Sequence, residues 1–275
     1  MLPIIYITTN KNKSIYKSNN IFTKIKDRFS INLEEEIFIE KFNLNIFNIC
    51  IPQNINKQSY LRNISIAKNF VKNKKAILAP KIYRKFDYNL FNDFQKRLFA
   101  FSVVKSLQLI LRLKNKSIRN SYITVYDSSD NVNKCIIQEL CKHCKCIILL
   151  SKKLNNMFQL REDIIKKYGV ACIITSNKEY AFNNCDFIIA SRDVSFLYKD
   201  IPIWHINNLH ISNNFNRIYI DDVTYSWNID NNIFSIELLG AILSQFNNNE
   251  NIENCLKENK ICLNEIKFNN KILNF

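Results

Sequence analysis

Eight polar side chains share one feature of the sequence: each follows closely on the end of an apolar, strand-like segment. They are Ser128, Ser129, Asn131, Ser151, Lys152, Lys153, Ser191 and Arg192. Hydroxyl, amide, ammonium and guanidinium groups all donate hydrogen bonds to phosphate or carboxylate oxygens. In an α/β protein, the ends of neighbouring parallel strands meet at the sheet edge where ligands bind. We therefore predict that these eight residues bind a small-molecule anion or a nucleotide.

The loop after the first of these segments departs from the usual nucleotide-binding pattern. In a dinucleotide-binding unit, the first strand turns through G-x-G-x-x-G into a helix whose N-terminus meets the pyrophosphate. The corresponding residues 126–133 read YDSSDNVN and contain no glycine. Asp127 and Asp130 place negative charge where a pyrophosphate would lie, and Asp130 is better explained as a helix N-cap. The sequence therefore predicts a degenerate glycine loop.

The end of the second segment distinguishes between the two nicotinamide cofactors. NAD-binding units usually carry an acidic residue there, whereas NADP-binding units carry Arg or Lys for the additional phosphate. Here Leu150 and Ser151 are followed by Lys152 and Lys153, which favours NADP. The alternative is that this lysine pair simply faces solvent in a lysine-rich chain. Arg192 has the same two interpretations: a bidentate contact to an anion, or a surface arginine.

Other residues with chemical potential are better explained by structure. The segment CKHCKC at 141–146 has a C-x-x-C spacing usable by zinc, but no second such pair follows, so no metal is expected. His205 and His210 could act as general acids or bases, although a packed His205 is the favoured interpretation. Asp221 and Asp222 could hold a metal, but such a pair more often caps a turn. No catalytic residue is assigned.

Regular alternation of strands and helices positions the eight residues. Apolar segments at 122–127, 146–151, 170–175 and 186–191 alternate with helical segments, of which 155–168 ends at Gly169. Segments 201–206 and 217–221 continue the series. Apolar strands that alternate with helices are typical of a parallel sheet covered on both faces. We predict an α/β fold with a Rossmann-like parallel sheet in its C-terminal part.

The first half of the chain has a looser α/β pattern that ends in a long helix. Apolar residues recur every three or four positions from 88 to 113, which predicts a helix nearly 40 Å long. We therefore predict an N-terminal α/β domain at 1–87 and a connecting helix with its linker at 88–118. A Rossmann-like domain follows at 119–231, and residues 232–275 form a helix that packs back, with a tail.

This order of elements resembles a known family. Residues 118–191 resemble the nucleotide-binding domain of two-domain dehydrogenases of the shikimate/quinate dehydrogenase and amino-acid-dehydrogenase-like group. CIILLSKKLNNMFQLREDIIKKYGV resembles the second strand, basic turn and next helix, and EYAFNNCDFIIAS resembles the segment that ends in the fourth strand. The resemblance implies a smaller substrate domain, a crossing helix and then a Rossmann domain. The family's catalytic Lys and Asp have no counterpart here, and Pro80-Lys81 matches only two residues of its Lys motif.

Composition restricts the remaining partners and the location. The net charge is +15 and the pI about 9.4, but the lysines are dispersed along the chain, which argues against a nucleic-acid partner. No segment approaches the roughly 18 apolar residues of a membrane span, so no membrane partner is expected. Nine cysteines, several of them in apolar segments, are typical of a reducing, cytoplasmic environment. The sequence does not predict the oligomeric state.

Three functional hypotheses follow. The first is a divergent Rossmann-fold protein that resembles two-domain NADP-dependent dehydrogenases and binds a nucleotide between its domains without catalysis. The second is an active NADP-dependent oxidoreductase on a small hydroxy or keto acid. The third is a basic, non-enzymatic module that binds nucleic acid or an acidic partner. The absent glycines favour the first over the second, and the dispersed lysines argue against the third.

Overall fold

The computed structural model describes residues 1–9, 14–71, 75–191, 201–206, 219–229, 233–246, 251–268 and 271–274. Within them the strands are β1 Ile4–Thr9, β2 Asn32–Ile39, β3 Leu44–Ile51, β4 Ile77–Pro80, β5 Tyr122–Tyr126, β6 Cys146–Leu150, β7 Ala171–Thr175, β8 Phe187–Ala190, β9 Ile203–His205, β10 Tyr219–Ser226, β11 Ile233–Ser235, β12 Cys262–Phe268 and β13 Lys271–Asn274. The helices are α1 Ile21–Phe29, α2 Lys57–Lys68, α3 Arg84–Asp87, α4 Asp93–Leu113, α5 Asn131–Leu140, α6 Asn155–Tyr168, α7 Lys178–Asn183, α8 Ile236–Leu243 and α9 Ile252–Glu258.

The chain divides into two compact units. The first contains Met1–Gln95 and Glu237–Glu250, and the second contains Lys96–Ile236 and Asn251–Phe275. The division therefore falls inside α4 and at the start of α8. The domain boundaries that the sequence suggested, after residues 87, 118 and 231, stay predictions.

The first unit is built on a four-stranded sheet in the order β2-β3-β1-β4. β1 is parallel to both of its neighbours, whereas β2 runs antiparallel to β3. Apolar side chains on both faces of β1 are buried, including Ile4, Ile5 and Ile7. Such two-sided burial explains why this strand is a continuous apolar run in the sequence.

The second unit contains six parallel strands in the order β7-β6-β5-β8-β9-β10. β12 then pairs antiparallel with β10, and β13 pairs antiparallel with β12. Counted from β5, the parallel strands have the order 3-2-1-4-5-6, which is that of the doubly wound nucleotide-binding fold. The predicted α/β class and the parallel sheet are confirmed. From β5 the next strands are added on one side as β6 and β7 and then on the other side as β8 and β9, so the strand order reverses between β5 and β8 and the sheet's ligand-binding crevice is expected there.

The long helix is present but begins later than the sequence suggested. α4 starts at Asp93 instead of residue 88 because Asn92 and Gln95 form a reciprocal cap: the Gln95 amide donates to Asn92 Oδ1 and the Asn92 amide donates to Gln95 Oε1, both at 2.9 Å. α4 is the longest helix described. Neither it nor another helix in the described residues combines the length and apolar character of a membrane span.

Two predicted elements differ near the C-terminus. The strand expected at 217–221 continues to Ser226 because β12 pairs with β10 along most of its length, so Asp221 and Asp222 lie within a strand and not at its end. The helix expected from 232 begins only at Ile236, because residues 233–235 pair with β10 as β11. The predicted ending of α6 at Gly169 is confirmed, with Gly169 in the left-handed conformation at φ 64°.

Candidate nucleotide-binding edge

The loops after β5, β6 and β8 lie at one edge of the parallel sheet. β5 lies between β6 and β8, with Tyr126 opposite Leu150 on one side and Ala190 on the other. The residues that follow these three strand ends are therefore neighbours, as the sequence predicted for parallel strands. We refer to the residues 127–133, 151–153 and 191 as the switch-point edge.

The β5–α5 loop keeps a tight turn without glycine. Asp127 adopts φ 60°, in the left-handed region where Asp and Asn are more tolerated than most residues. The Asp130 amide donates to the Asp127 carbonyl at 2.9 Å and closes the turn. The dinucleotide fingerprint uses its first glycine for such a tight turn. This loop therefore makes a tight turn without glycine.

Ser128 turns its hydroxyl into the protein. Its side chain is buried, and its backbone amide donates to the Leu150 carbonyl at 3.2 Å. The hydroxyl donates to the same carbonyl at 3.4 Å and to Met157 Sδ at 3.1 Å. Ser128 therefore holds the loop against the end of β6.

Ser129 and Ser151 connect the first two strand ends. The Ser151 hydroxyl donates to Ser129 Oγ at 3.2 Å and accepts from the Lys153 amide at 3.1 Å. The Ser129 hydroxyl in turn lies 3.5 Å from Asp127 Oδ1. In the fingerprint, the second glycine lets the pyrophosphate approach the backbone closely. Here Ser129 carries a side chain, which a glycine would lack.

Asn133 and Ser191 connect the loop to β8. The fully buried Asn133 donates from Nδ2 to the Asp127 carbonyl at 2.9 Å, and the Ser191 hydroxyl donates to Asp130 Oδ2 at 3.0 Å. Asn133 Oδ1 is buried and has no hydrogen-bond partner within the described residues. No role was predicted for Asn133, because its amide reaches the loop only after α5 has folded against β5 and β8.

The side chain of Asp130 does not cap the N-terminus of α5. Asp130 is the N-cap residue, as predicted, but its side chain makes no capping bond to the helix and is bonded to Ser191 instead. Uncapped amides at a helix N-terminus, together with the helix dipole, favour a bound anion. Asn131, the first helical residue, is exposed beside them. The carboxylates of Asp127 and Asp130, in contrast, repel an anion at this helix N-terminus.

Three lysines place positive charge near this edge. Lys152 and Lys153 are exposed directly after Ser151. Lys178, at the start of α7, extends over the ring of Tyr126 with its Nζ 5.4 Å from the ring centroid. Lys178 was not predicted to lie here, because its approach to β5 depends on how α7 crosses the sheet. Arg192 lies outside the described residues, so its predicted contact is not described.

These residues fit one phosphate group better than a complete dinucleotide cradle. The α5 N-terminus and the exposed Lys152 and Lys153 suit phosphate oxygens. The loop contains no glycine, and a side chain such as that of Ser129 opposes the close approach of a pyrophosphate to the backbone.

The other residues with chemical potential are packed into the protein. His205 is buried in β9 beside the ring of Tyr219, and His210 lies outside the described residues. Burial raises the pKa of the Cys141 and Cys144 thiols to about 12, so both are protonated and poorly nucleophilic at neutral pH. No group of three potential metal-ligating side chains occurs in the described part of the chain.

A second polar cluster is buried in the first unit. Asp87 is fully buried, and it accepts hydrogen bonds from the Tyr60 hydroxyl and, at 2.9 Å, from the Ile82 amide. Arg84 lies 3.5 Å from Glu237, and both side chains are buried. Burial raises the pKa of Asp87 to about 6, and the nearby Glu237 raises it as well. This cluster was not predicted, because its members come from separate segments of the sequence.

A groove of about 330 Å³ lies elsewhere, around the end of α4. Its lining residues are Gln108, Arg112, Asn115, Lys116, Ser117 and Ile118. These residues precede β5, so the groove is at the side where the strand begins and not at the switch-point edge.

Three solved structures align with the chain. The first is an L-tryptophan dehydrogenase from Nostoc punctiforme, with a TM-score of 0.37 and 12% identity over 77% of this chain, which spans 66% of that structure's length. The second is a chorismate mutase/shikimate 5-dehydrogenase fusion protein from Clostridium acetobutylicum, with a TM-score of 0.29, 13% identity and coverage of 69% and 67%. The third is the N5,N10-methylenetetrahydrofolate dehydrogenase-cyclohydrolase of Trypanosoma brucei in complex with NADP and an inhibitor, with a TM-score of 0.31, 7% identity and coverage of 77% and 70%. No family model and no curated protein matches the chain.

Proposed function

We propose that this chain is a divergent Rossmann-fold protein that binds a phosphate-bearing nucleotide, NADP in preference to NAD, at the switch-point edge. The observation that carries the proposal is the strand order 3-2-1-4-5-6, which puts the loops after β5, β6 and β8 at the place where this fold binds nucleotides.

Two local features support an anionic ligand at this edge. The first is the N-terminus of α5, which lacks a side-chain cap. The second is the exposed pair Lys152 and Lys153 at the end of β6, where NADP-binding proteins place cations for the 2′-phosphate. Ser129 and Asn131 are the remaining loop residues with side chains placed to donate hydrogen bonds.

The same geometry argues for weak binding and against turnover. Asp127 and Asp130 oppose a pyrophosphate electrostatically, and the loop lacks the glycine that lets the phosphates approach the backbone. His205 is buried, and the sequence carries no counterpart of the family's catalytic pair. We therefore propose a nucleotide-binding role without oxidoreductase activity.

Thermal-shift titration with NADP, NADPH, NAD and NADH tests the proposal. A ligand that binds only the folded state raises its stability as the concentration exceeds Kd, so we expect larger shifts with NADP and NADPH than with NAD and NADH. Equal shifts with all four nucleotides would remove the 2′-phosphate from the proposal, and no shift with any of them would refute nucleotide binding.

The variant Lys152→Glu/Lys153→Glu separates a local contact from general electrostatics. Reversal of two charges beside a 2′-phosphate should weaken NADP at least about tenfold and leave NAD nearly unchanged. Lys166→Glu/Lys167→Glu is the matched control, because it reverses two adjacent exposed lysines at the other end of α6. An equal loss in both variants would assign the effect to net charge alone. Oxidation of a small hydroxy acid by the wild-type chain with NADP would replace the non-catalytic role with an active dehydrogenase.

A further inference from the structure

Helix α1 is packed with its polar face towards the protein. The only buried residue of this helix is Asp27, while its apolar residues face solvent. Phe22 and Phe29 are 85% and 86% exposed, and Ile21 and Ile25 are 71% and 52% exposed. An amphipathic helix of a globular protein normally has the reverse orientation.

A hydrogen-bond network fixes this orientation. The Asp27 carboxylate accepts from the Tyr16 hydroxyl, from Asn54 Nδ2 at 3.0 Å, from Asn63 Nδ2 at 3.2 Å and from the Arg62 guanidinium at 3.3 Å. The helix start is also fixed, because the Asn20 side chain accepts from the Thr23 amide at 2.7 Å. A rotation of α1 that buried the phenylalanines would withdraw Asp27 from all four donors. The apolar face is therefore held outward by the fold.

The exposed face is a continuous stripe with basic borders. At about 100° per residue, Ile21, Phe22, Ile25 and Phe29 fall within an arc of about 100°, with Asp27 on the opposite side. Lys24 and Arg28 border one side of the stripe. Lys26 borders the other side, where its Nζ lies 5.6 Å from the Tyr16 ring centroid. We call this face, from Ile21 to Phe29, the α1 stripe.

The charged residues of the segment that carries the α1 stripe are basic, apart from the buried Asp27. Lys17, Lys24, Lys26 and Arg28 are exposed, and Asp27 is the only acidic residue between positions 14 and 30. A second copy of the same stripe would bring like charges together in a two-fold pairing. An anionic surface, in contrast, would be attracted by the local cations and by the net charge of +15.

We propose that the α1 stripe docks on the surface of an anionic lipid membrane. A helix with Phe and Ile on one face and Lys or Arg along its borders lies in the interface plane, with the apolar side chains among the acyl chains and the cations at the headgroups. The four apolar side chains expose roughly 550 Å², near the upper end of the largest apolar patch on a typical monomer. This inference departs from the sequence-based expectation of no membrane partner and is independent of the nucleotide proposal.

Vesicle flotation with the full chain tests the inference. The probes are vesicles of phosphatidylcholine alone and vesicles in which about one third of the lipid is phosphatidylglycerol. We expect binding to the anionic vesicles only, and weaker binding as salt is raised. Phe22→Ser/Phe29→Ser and Lys24→Glu/Arg28→Glu should each lower the partition coefficient at least about tenfold.

Two controls distinguish binding through the α1 stripe from nonspecific hydrophobic binding and from misfolding. Phe158→Ser removes a phenylalanine that is 55% exposed on α6, and it should bind vesicles as the wild type does. Because the substituted α1 side chains are exposed, circular dichroism and the melting temperature should stay close to those of the wild type.

Three outcomes would overturn the inference. The first is equal binding of wild type and the α1 variants to anionic vesicles. The second is a wild-type dimer without lipid that Phe22→Ser/Phe29→Ser converts to monomer, with no vesicle binding, because the stripe would then pair with a second copy. The third is binding of a single-stranded RNA oligonucleotide through α1 with no vesicle binding.

Discussion

The buried carboxyl group of Asp87 predicts a pH-dependent stability that a single variant removes. Asp87 lies in α3 with its side chain fully buried. Burial raises its pKa from 3.8 to about 6, although the hydrogen bonds from Tyr60 and Ile82 oppose this rise. Between these two values the folded state binds more protons than the unfolded state, so the free energy of unfolding falls as the pH rises.

The size of the effect follows from the two pKa values. A carboxyl with a pKa of about 6 when folded and 3.8 when unfolded contributes about 3 kcal/mol of stability below both values, and nothing well above both. At pH 5 about 1.4 kcal/mol of this contribution remains, and by pH 8 it is gone. Through Asp87, the wild type should therefore lose about 1.4 kcal/mol of its unfolding free energy between pH 5 and pH 8. Asp87→Asn has nearly the same shape but does not titrate, so this contribution to the loss should be absent from it.

Urea unfolding of both proteins at pH 5 and pH 8 measures this difference. Other titrating groups change both proteins equally, so the comparison isolates Asp87. Tyr60→Phe removes a hydrogen bond that lowers the pKa of Asp87, so it should raise that pKa further and enlarge the pH dependence. The reasoning is refuted if wild type and Asp87→Asn lose the same free energy between the two pH values.

Two further predictions concern single positions. Asp127→Gly should raise NADP affinity about tenfold, because glycine adopts φ 60° without strain and removes an opposing charge. Asp127→Asn is the control that removes the charge alone. If calorimetry shows no change of NADP affinity in either variant, the phosphate does not bind at this loop. Gly240→Ala should lower the free energy of unfolding, measured in urea, by about 1–3 kcal/mol, because the new Cβ would lie 2.9 Å from Gln95 Cγ and 3.1 Å from Gln95 Cα. A gain in stability would contradict this prediction and show that Gln95 can shift.

The parallel sheet was predictable because its signal is local. Each of β5, β6, β7 and β8 is a short apolar run between helical segments, and that alternation requires crossover connections between parallel strands. The position of β8 beside β5 was not predictable in the same way, because Ile123 pairs with Phe187, far along the chain. The exact start of α4 depended on one pair of side chains, Asn92 and Gln95, outside the apolar pattern.

The composition of the switch-point edge was predictable, but the bonds within it were not. Polar residues after adjacent strand ends must meet, and Ser129 does contact Ser151. Whether such a hydroxyl faces a ligand or a neighbouring carbonyl depends on distances of a few ångströms, and Ser128 bonds to the Leu150 carbonyl. Asn133 and Lys178 were missed because their contacts arise only when helices pack on the sheet. Which of the predicted residues contact a ligand stays a prediction.

Helix α1 shows why a helical pattern does not reveal which face is buried. The apolar residues of α1 recur at helical spacing, and the usual rule would turn its phenylalanines inward. Burial of its roughly 550 Å² of exposed apolar area would contribute about 14 kcal/mol at 25 cal/mol per Å². Loss of the Asp27 network would cost about 3–5 kcal/mol. A rotated α1 would, however, place its phenylalanines against the polar donors that now bond to Asp27, so that apolar area would not be buried in exchange. Contact of the α1 stripe with a lipid surface would bury the area and keep the Asp27 network intact.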